Sequence, residues 1–208
     1  MSEPSGLWLG AEPLLLASGS ESRRAMLTAA GVKLEVARPL IDERAVEAPL
    51  RAEGAAAATV ALALARAKAL AVAAAAPGRI VLGADQTLDR DGLDFHKPED
   101  LVAAAAQLAD LAGRRHSLHS AFVLARDGVV LAEGTDSATL AMRPLTESFI
   151  ALYLRSAGPA ILQSVGGYQI EGLGAQLFET VEGDHFTILG LPLLAVLAAL
   201  RRLGLLAS

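Results

Sequence analysis

Pro13 to Ala17 is a short apolar run and predicts a buried strand. Ser18-Gly19-Ser20-Glu21-Ser22 follows as a loop. Arg23 to Ala30 then reads as a helix stopped by Gly31, and Val32 to Ala37 alternates as a second strand. Arg38 to Gly54 is polar and contains proline, the pattern of a loop or irregular arm. Ala55 to Ala76 predicts a long alanine-rich helix ended by Pro77-Gly78, and Ile80 to Ala84 a buried strand. Asp89-Arg90-Asp91-Gly92 is a turn signal. Glu99 to Ala112 reads as a helix between Pro98 and Gly113. Ser117 to Ala125 and Val129 to Ala132 flank Arg126-Asp127-Gly128 and predict a hairpin. Thr146 to Ala157 predicts a further helix, glycine-rich Gln163 to Val181 short strands, and Pro192 to Leu203 a closing helix before Gly204. Strands that alternate with helices, plus one hairpin, predict an α/β fold with a mixed central sheet flanked by helices. No repeat and no long linker divides residues 1–208, so a single domain is expected.

Composition narrows the function classes. Hydrophobic residues make up 53% of the 208 and aromatics only 4%, so the core is built from Ala, Leu and Val. A net charge of −5 argues against a general nucleic-acid binder, although a few placed cations still hold an anion at contact range. The absence of Cys excludes disulfides, thiolate metal sites and cysteine nucleophiles. The longest apolar stretch is read as Ile188 to Leu200, which Gly190 and Pro192 interrupt and which is too short to span a membrane. Met1 to Pro13 has no basic n-region, and a cytoplasmic protein is expected.

Four constellations have the makings of chemistry. In Leu16 to Arg24 a strand feeds a loop that opens a helix. Such a turn aims backbone N–H groups at one spot, where Ser18, Ser20, Arg23 and Arg24 would clamp phosphate oxygens. The competing reading is a helix-capping Ser followed by solvated Arg residues. Asp85, directly after the apolar run to Ala84, would stand at a strand's carboxyl end, where a carboxylate holds a cation or activates water. Asp42-Glu43 in the polar arm would join it around a hard cation, or simply be solvated. Lys68 lies midway along an apolar helix and Lys97 precedes Pro98. Either would neutralise phosphate charge, and the plainer readings are a surface Lys and a loop Lys. The four His residues have no metal-ligand spacing, and no Gly-x-Ser-x-Gly elbow is present. Val181 to Leu193 reads mainly as strand-to-helix punctuation.

Taken in order, these segments resemble the Maf family of nucleotide pyrophosphatases. The resemblance rests on Leu16 to Arg24, Val36 to Glu43, Ala65-Arg66-Ala67-Lys68-Ala69, Gly83-Ala84-Asp85-Gln86, Lys97-Pro98 with Gly113 to His116, Gly167 to Gly172, and Gly190-Leu191-Pro192-Leu193. It implies two lobes around a cleft, a homodimer, and hydrolysis of a nucleoside triphosphate between the α- and β-phosphates. The implied cofactor is a divalent cation (Mg²⁺, Mn²⁺ or Co²⁺). It assigns Ser18, Ser20, Arg23 and Arg24 to phosphate and nucleotide binding, and Asp85, Lys97, Lys68 and Glu43 to catalysis. Asp85 and Glu43 would be the metal ligands, with Asp85 also the leading candidate for water-activating base. Gln86, where the family often has Thr, resembles the branch that acts on 7-methyl-GTP. Ser164, Val165 and Glu171 replace the Lys, Ala and Gln of the family's late motif, so Gln86 and Glu171 are candidate base-contacting residues. Two other readings remain: a nucleotide-binding regulator of septum formation with little turnover, and a triphosphate hydrolase of the inosine-triphosphate type.

Overall fold

The structure is a computed structural model that describes residues 6–208. Met1 to Ser5, part of the segment read as lacking a targeting signal, lie outside the described residues. The chain runs β1 (Leu14–Ala17), α1 (Glu21–Ala29), β2 (Leu34–Val36), α2 (Glu43–Ala52), α3 (Ala57–Ala75), β3 (Val81–Arg90) and β4 (Leu93–Phe95). It continues with α4 (Leu101–Leu111), β5 (Arg115–Arg126), β6 (Val129–Met142), α5 (Glu147–Ala157), three 3₁₀ turns, β7 (Phe178–Glu182), α6 (His185–Ile188) and α7 (Leu193–Arg202). The expected mixed α/β sheet is present. Its strands are ordered β2-β1-β3-β5-β6-β7, with β4 added to β3. β2, β1 and β3 are parallel, while β3, β5, β6 and β7 are antiparallel.

One face of the sheet carries two apolar cores side by side. Leu14, Leu16, Leu82, Ala84, Phe122 and Leu124 pack under α1 and α7. Leu88, Leu118, Leu140 and Met142 pack under α4 and α5. These are the two lobes, and on β3 they meet between Ala84 and Leu88, at Gln86. The opposite face is covered by α3, whose alanines pack on Val81, Ala121, Val123 and Ala125.

Several expectations are corrected. The polar arm contains a helix, α2, because the Asp42 side chain accepts a hydrogen bond from the Ala45 N–H at 3.2 Å and caps it. Pro49, which argued for a loop, lies inside this short helix and forgoes one i→i−4 hydrogen bond there. β3 does not stop at Ala84. Its pairing with β5 is continuous from Val81↔Ala125 to Asp89↔Ser117, so Asp85 lies within a strand instead of at its end. The glycine-rich stretch forms 3₁₀ turns and one strand, β7, since Gly166 and Gly167 take positive φ values that break extended pairing. The apolar element by length is α3, not Ile188 to Leu200. Its 19 residues are long and apolar enough to cross a membrane, yet half of the window is buried inside the protein. It is a core helix.

β3 has β5 along one edge, but its other edge is shared. β1 pairs with it up to Ala17↔Gly83, and β4 from Leu88↔Phe95 onward. β1 runs parallel to β3 and β4 antiparallel, so the carboxyl ends of both strands aim at the stretch Ala84 to Thr87 between them. Ser18 leaves β1 there and Lys97 follows β4 there. On the covered face, α3 approaches closely because position 83 is glycine. A Cβ at Gly83 would fall 2.2 Å from the Ala65 carbonyl oxygen and 2.6 Å from the Ala69 nitrogen. Gly83→Ala is therefore expected to cost about 1–3 kcal/mol of folding free energy by forcing α3 away from β3, read as a lowered midpoint in urea denaturation.

Candidate functional site

At the gap in the β3 edge, side chains from five segments converge. Arg23, on α1, is buried, and its Nε and Nη1 are committed to two protein carbonyls and a hydroxyl. Its Nε donates to the Gly190 carbonyl at 2.7 Å, and its Nη1 to Ser18 Oγ at 2.9 Å and to the Ala84 carbonyl at 3.1 Å. The Ala84 bond occupies a β3 carbonyl at the margin of the gap. Arg23 thereby joins the loop after β1, the central strand and the C-terminal segment.

Asp85 points to the α3 face and is 8% exposed. It forms a hydrogen-bonded ion pair with Nζ of Lys68, itself buried on α3. Nζ also reaches Oε1 of Glu43 at 2.9 Å, from the exposed first turn of α2. The plainer reading of Lys68 as a surface residue is thus overturned: the alanine spine of α3 brings its Cα close enough to the sheet that the ammonium ends at Asp85. Burial raises the Asp85 carboxyl above the ordinary carboxylate range, and the positive charges of Lys68 and Arg23 oppose that rise. Burial lowers Arg23, against the pull of Asp85 and Glu43.

Lys97 is exposed as a residue and makes no hydrogen bond or ion pair among the described residues. Loss of water around its ammonium nevertheless lowers its pKa, and Arg23 and Lys68 lower it further, while Asp85 and Glu43 pull it up. All five charges therefore lie within electrostatic reach of one another. Three cations against two carboxylates leave this cluster net positive in a protein whose net charge is −5. Such a cluster suits a polyanion that brings its own counter-ion.

The other predicted residues divide. Ser18 belongs to the cluster through Arg23. Ser20 is the N-cap of α1 and accepts from the Arg23 N–H at 3.4 Å. Arg24 is exposed and paired with Glu21 on its own helix at 2.6 Å. Gln86 projects from β3 to the other face, where Nε2 donates to Ser120 Oγ and to the Thr187 and Ile188 carbonyls at 3.0–3.1 Å. Glu171 is exposed in the turns of the second lobe, and among the described residues it makes no bond to the charge cluster. Sequence reasoning missed Gly190, whose carbonyl anchors Arg23. Its signal was φ +104°, a conformation that favours glycine, at a position taken for punctuation. It also missed Thr187, whose hydroxyl donates to Asp136 at 2.7 Å and whose carbonyl accepts from Ser120 at 2.8 Å.

Among the described residues no three His, Asp or Glu side chains cluster as a metal cage. A cavity of about 500 Å³, lined by Arg51, Asp89, His119 and small residues of the α2–α3 connection, lies further along the α3 face of β3. None of the predicted site residues lines it, so the charge cluster and not this cavity is the candidate site.

Removing Lys68 tests the electrostatics. In Lys68→Met the Asp85 carboxyl loses its nearest opposite charge, and its pKa in the folded state rises further above the unfolded value. Folding then binds a proton more tightly than unfolding does. The variant is near wild-type stability at acid pH and loses stability as pH rises through the carboxylate range, by up to about 3–5 kcal/mol at neutral pH. Denaturant midpoints at acid and neutral pH measure this; an equal deficit at both would show that Lys68 does not govern Asp85.

A sequence model of the Maf-like protein family matches residues 13–203. A nucleoside triphosphate pyrophosphatase of Rhodopseudomonas palustris (strain HaA2) is 50% identical over 202 residues, covering 97% of this chain and 98% of the relative. A 7-methyl-GTP pyrophosphatase of Rhizobium etli is 53% identical over 191 residues, covering 92% and 96%. Another of that name, from Mesorhizobium japonicum, is 51% identical over 193 residues, covering 93% and 97%. With a family match that spans nearly the whole chain, and relatives aligned end to end at half identity, the chain belongs to the Maf-like protein family.

Proposed function

We propose that the protein hydrolyses a nucleoside triphosphate at the α–β phosphoanhydride, releasing the monophosphate and pyrophosphate. The observation that carries the reading is the buried Asp85 carboxylate, paired with Lys68 and within electrostatic reach of Arg23 and Lys97 beside the gap in the β3 edge, its pKa raised by burial. A carboxylate tuned upward is a better proton acceptor near neutral pH than an ordinary one. The relatives' names support the same chemistry.

In this reading Lys97, which has no hydrogen-bond or ion-pair partner among the described residues, and Arg23 receive the phosphate oxygens, and Ser18 holds the Arg23 guanidinium in place. Asp85 takes the proton of the attacking water at the α-phosphorus. Lys68 orients that carboxylate and stabilises its charged form, and the proton then leaves to solvent. The negative charge that grows on the departing pyrophosphate is balanced by cations already fixed by the fold, so little reorganisation accompanies the reaction.

The donor set fits a divalent cation carried with the substrate. The Asp85 and Glu43 carboxylates flank the same Lys68 ammonium, and beside it two carboxylates plus phosphate oxygens are a usual Mg²⁺ environment. Bound there, the cation would neutralise phosphate charge and lower the pKa of a coordinated water. The homodimer and the cytoplasmic setting belong to this proposal through the family resemblance.

The test is product analysis on a panel of canonical and modified triphosphates with Mg²⁺, Mn²⁺ or Co²⁺. Gln86 makes 7-methyl-GTP the first base to try, beside dTTP and UTP. Pyrophosphate and monophosphate are expected in equal amounts, and release of orthophosphate from intact enzyme would refute the reading. Asp85→Asn is expected to lower kcat by about 100-fold or more while triphosphate still binds. Chelation of the metal is expected to stop turnover reversibly.

A further inference from the structure

We propose that Gln107, seconded by Arg90, is a positioning residue that sets where Lys97 presents its ammonium; this rests on the reading of Lys97 as a phosphate-binding cation. Arg23 and Lys68 are held by direct bonds to the groups around them. Lys97 has no such bond among the described residues, so its location depends on the backbone strap that carries it, residues 96–100 between β4 and α4.

That strap is held at three points. Pro98 is buried and restricts Lys97 to extended backbone. Gln107, about two turns into α4, sends Nε2 back to the His96 carbonyl at 2.9 Å, one residue before Lys97. Arg90, buried at the end of β3, donates through Nε and Nη2 to Asp110 of α4 at 3.1 and 2.8 Å. Its guanidinium also lies 6.0 Å from the ring centre of Phe95, two residues before Lys97. The two side chains therefore fix the chain just before Lys97, Gln107 from α4 at His96 and Arg90 from β3 at Phe95.

The Gln107 amide is not part of a satisfied core network. Its Oε1 is buried without a partner among the described residues, a condition that costs about 1–3 kcal/mol. An apolar side chain of the same length would fill that space without the cost. What it would lose is the bond to the carbonyl beside Lys97, which is the bond this proposal gives a function.

The experiment is a double-mutant cycle on Gln107→Met, Lys97→Ala and the double variant. The readouts are the affinity for inorganic pyrophosphate with Mg²⁺ by calorimetry and, in turnover, kcat and KM. Gln107→Met is expected to weaken pyrophosphate about tenfold and to lower kcat about ten- to a hundredfold, the scale of a misplaced catalytic group. In the Lys97→Ala background it should have no further effect, because there is no ammonium left to place. Gln107→Glu, which keeps the shape but loses the donor, gives the same pattern and replaces the Met variant should that one fail to fold. An equal loss in both backgrounds, or wild-type behaviour of both Gln107 variants beside a weak Lys97→Ala, overturns the positioning role alone. Wild-type affinity and turnover in Lys97→Ala would instead overturn the reading of Lys97, and this inference with it.

Discussion

The structure turns on a sheet strand that changes partners. β3 is paired along one edge by β5 without interruption, while on the other edge β1 ends at Gly83 and β4 begins at Leu88. Backbone groups in such a gap need other partners, because unpaired buried polar groups are costly. The Arg23 guanidinium takes the Ala84 carbonyl at one margin. The same geometry aims the outgoing chains of β1 and β4 at each other, which brings Ser18 and Lys97 together although 79 positions separate them. The rule that ligands collect at the carboxyl ends of parallel strands therefore applies to β1, and Asp85 sits at that end while lying within a strand of its own.

The second constraint is the buried Lys68–Asp85 pair. Removing two charges from water is expensive, and their attraction only partly offsets it, so such a pair is a poor device for stability alone. Here it depends on a helix with an alanine spine against a strand with glycine at position 83. Larger residues at Ala65 or Ala69 would lift Lys68 off its partner. The alanine-rich composition is what lets a helix carrying Lys68 lie flat on the sheet.

Much of this was legible in the sequence. The buried runs marked β1 and β3, the Asp127-Gly128 turn marked the β5–β6 hairpin, and Lys68 was visible as a charge isolated in an apolar helix. What was not legible had physical reasons. α2 was hidden by Pro49 and a polar surface, since the helix buries no residue, and the Asp42 cap was the one local clue. β3 seemed to stop at Ala84 because Asp85 and Gln86 are polar, and only the long-range pairing to β5 carries the strand through them. Gly190, Gln107 and Arg90 have functions in tertiary contacts that no local pattern encodes. Ser20 shows the reverse case, in which a residue picked for phosphate chemistry is occupied as a helix cap.

The shallow seating of α2 has a bearing on how the charge cluster responds to its surroundings. Lys68 holds two carboxylates of unlike accessibility: Asp85 is sealed between helix and strand, while more than half of the Glu43 side chain faces water. Dissolved ions weaken attractions between groups in contact with solvent far more than those shielded from it. Raising ionic strength therefore loosens the Glu43 arm first and leaves the inner contact intact, so the ammonium has one permanent neighbour and one exchangeable one.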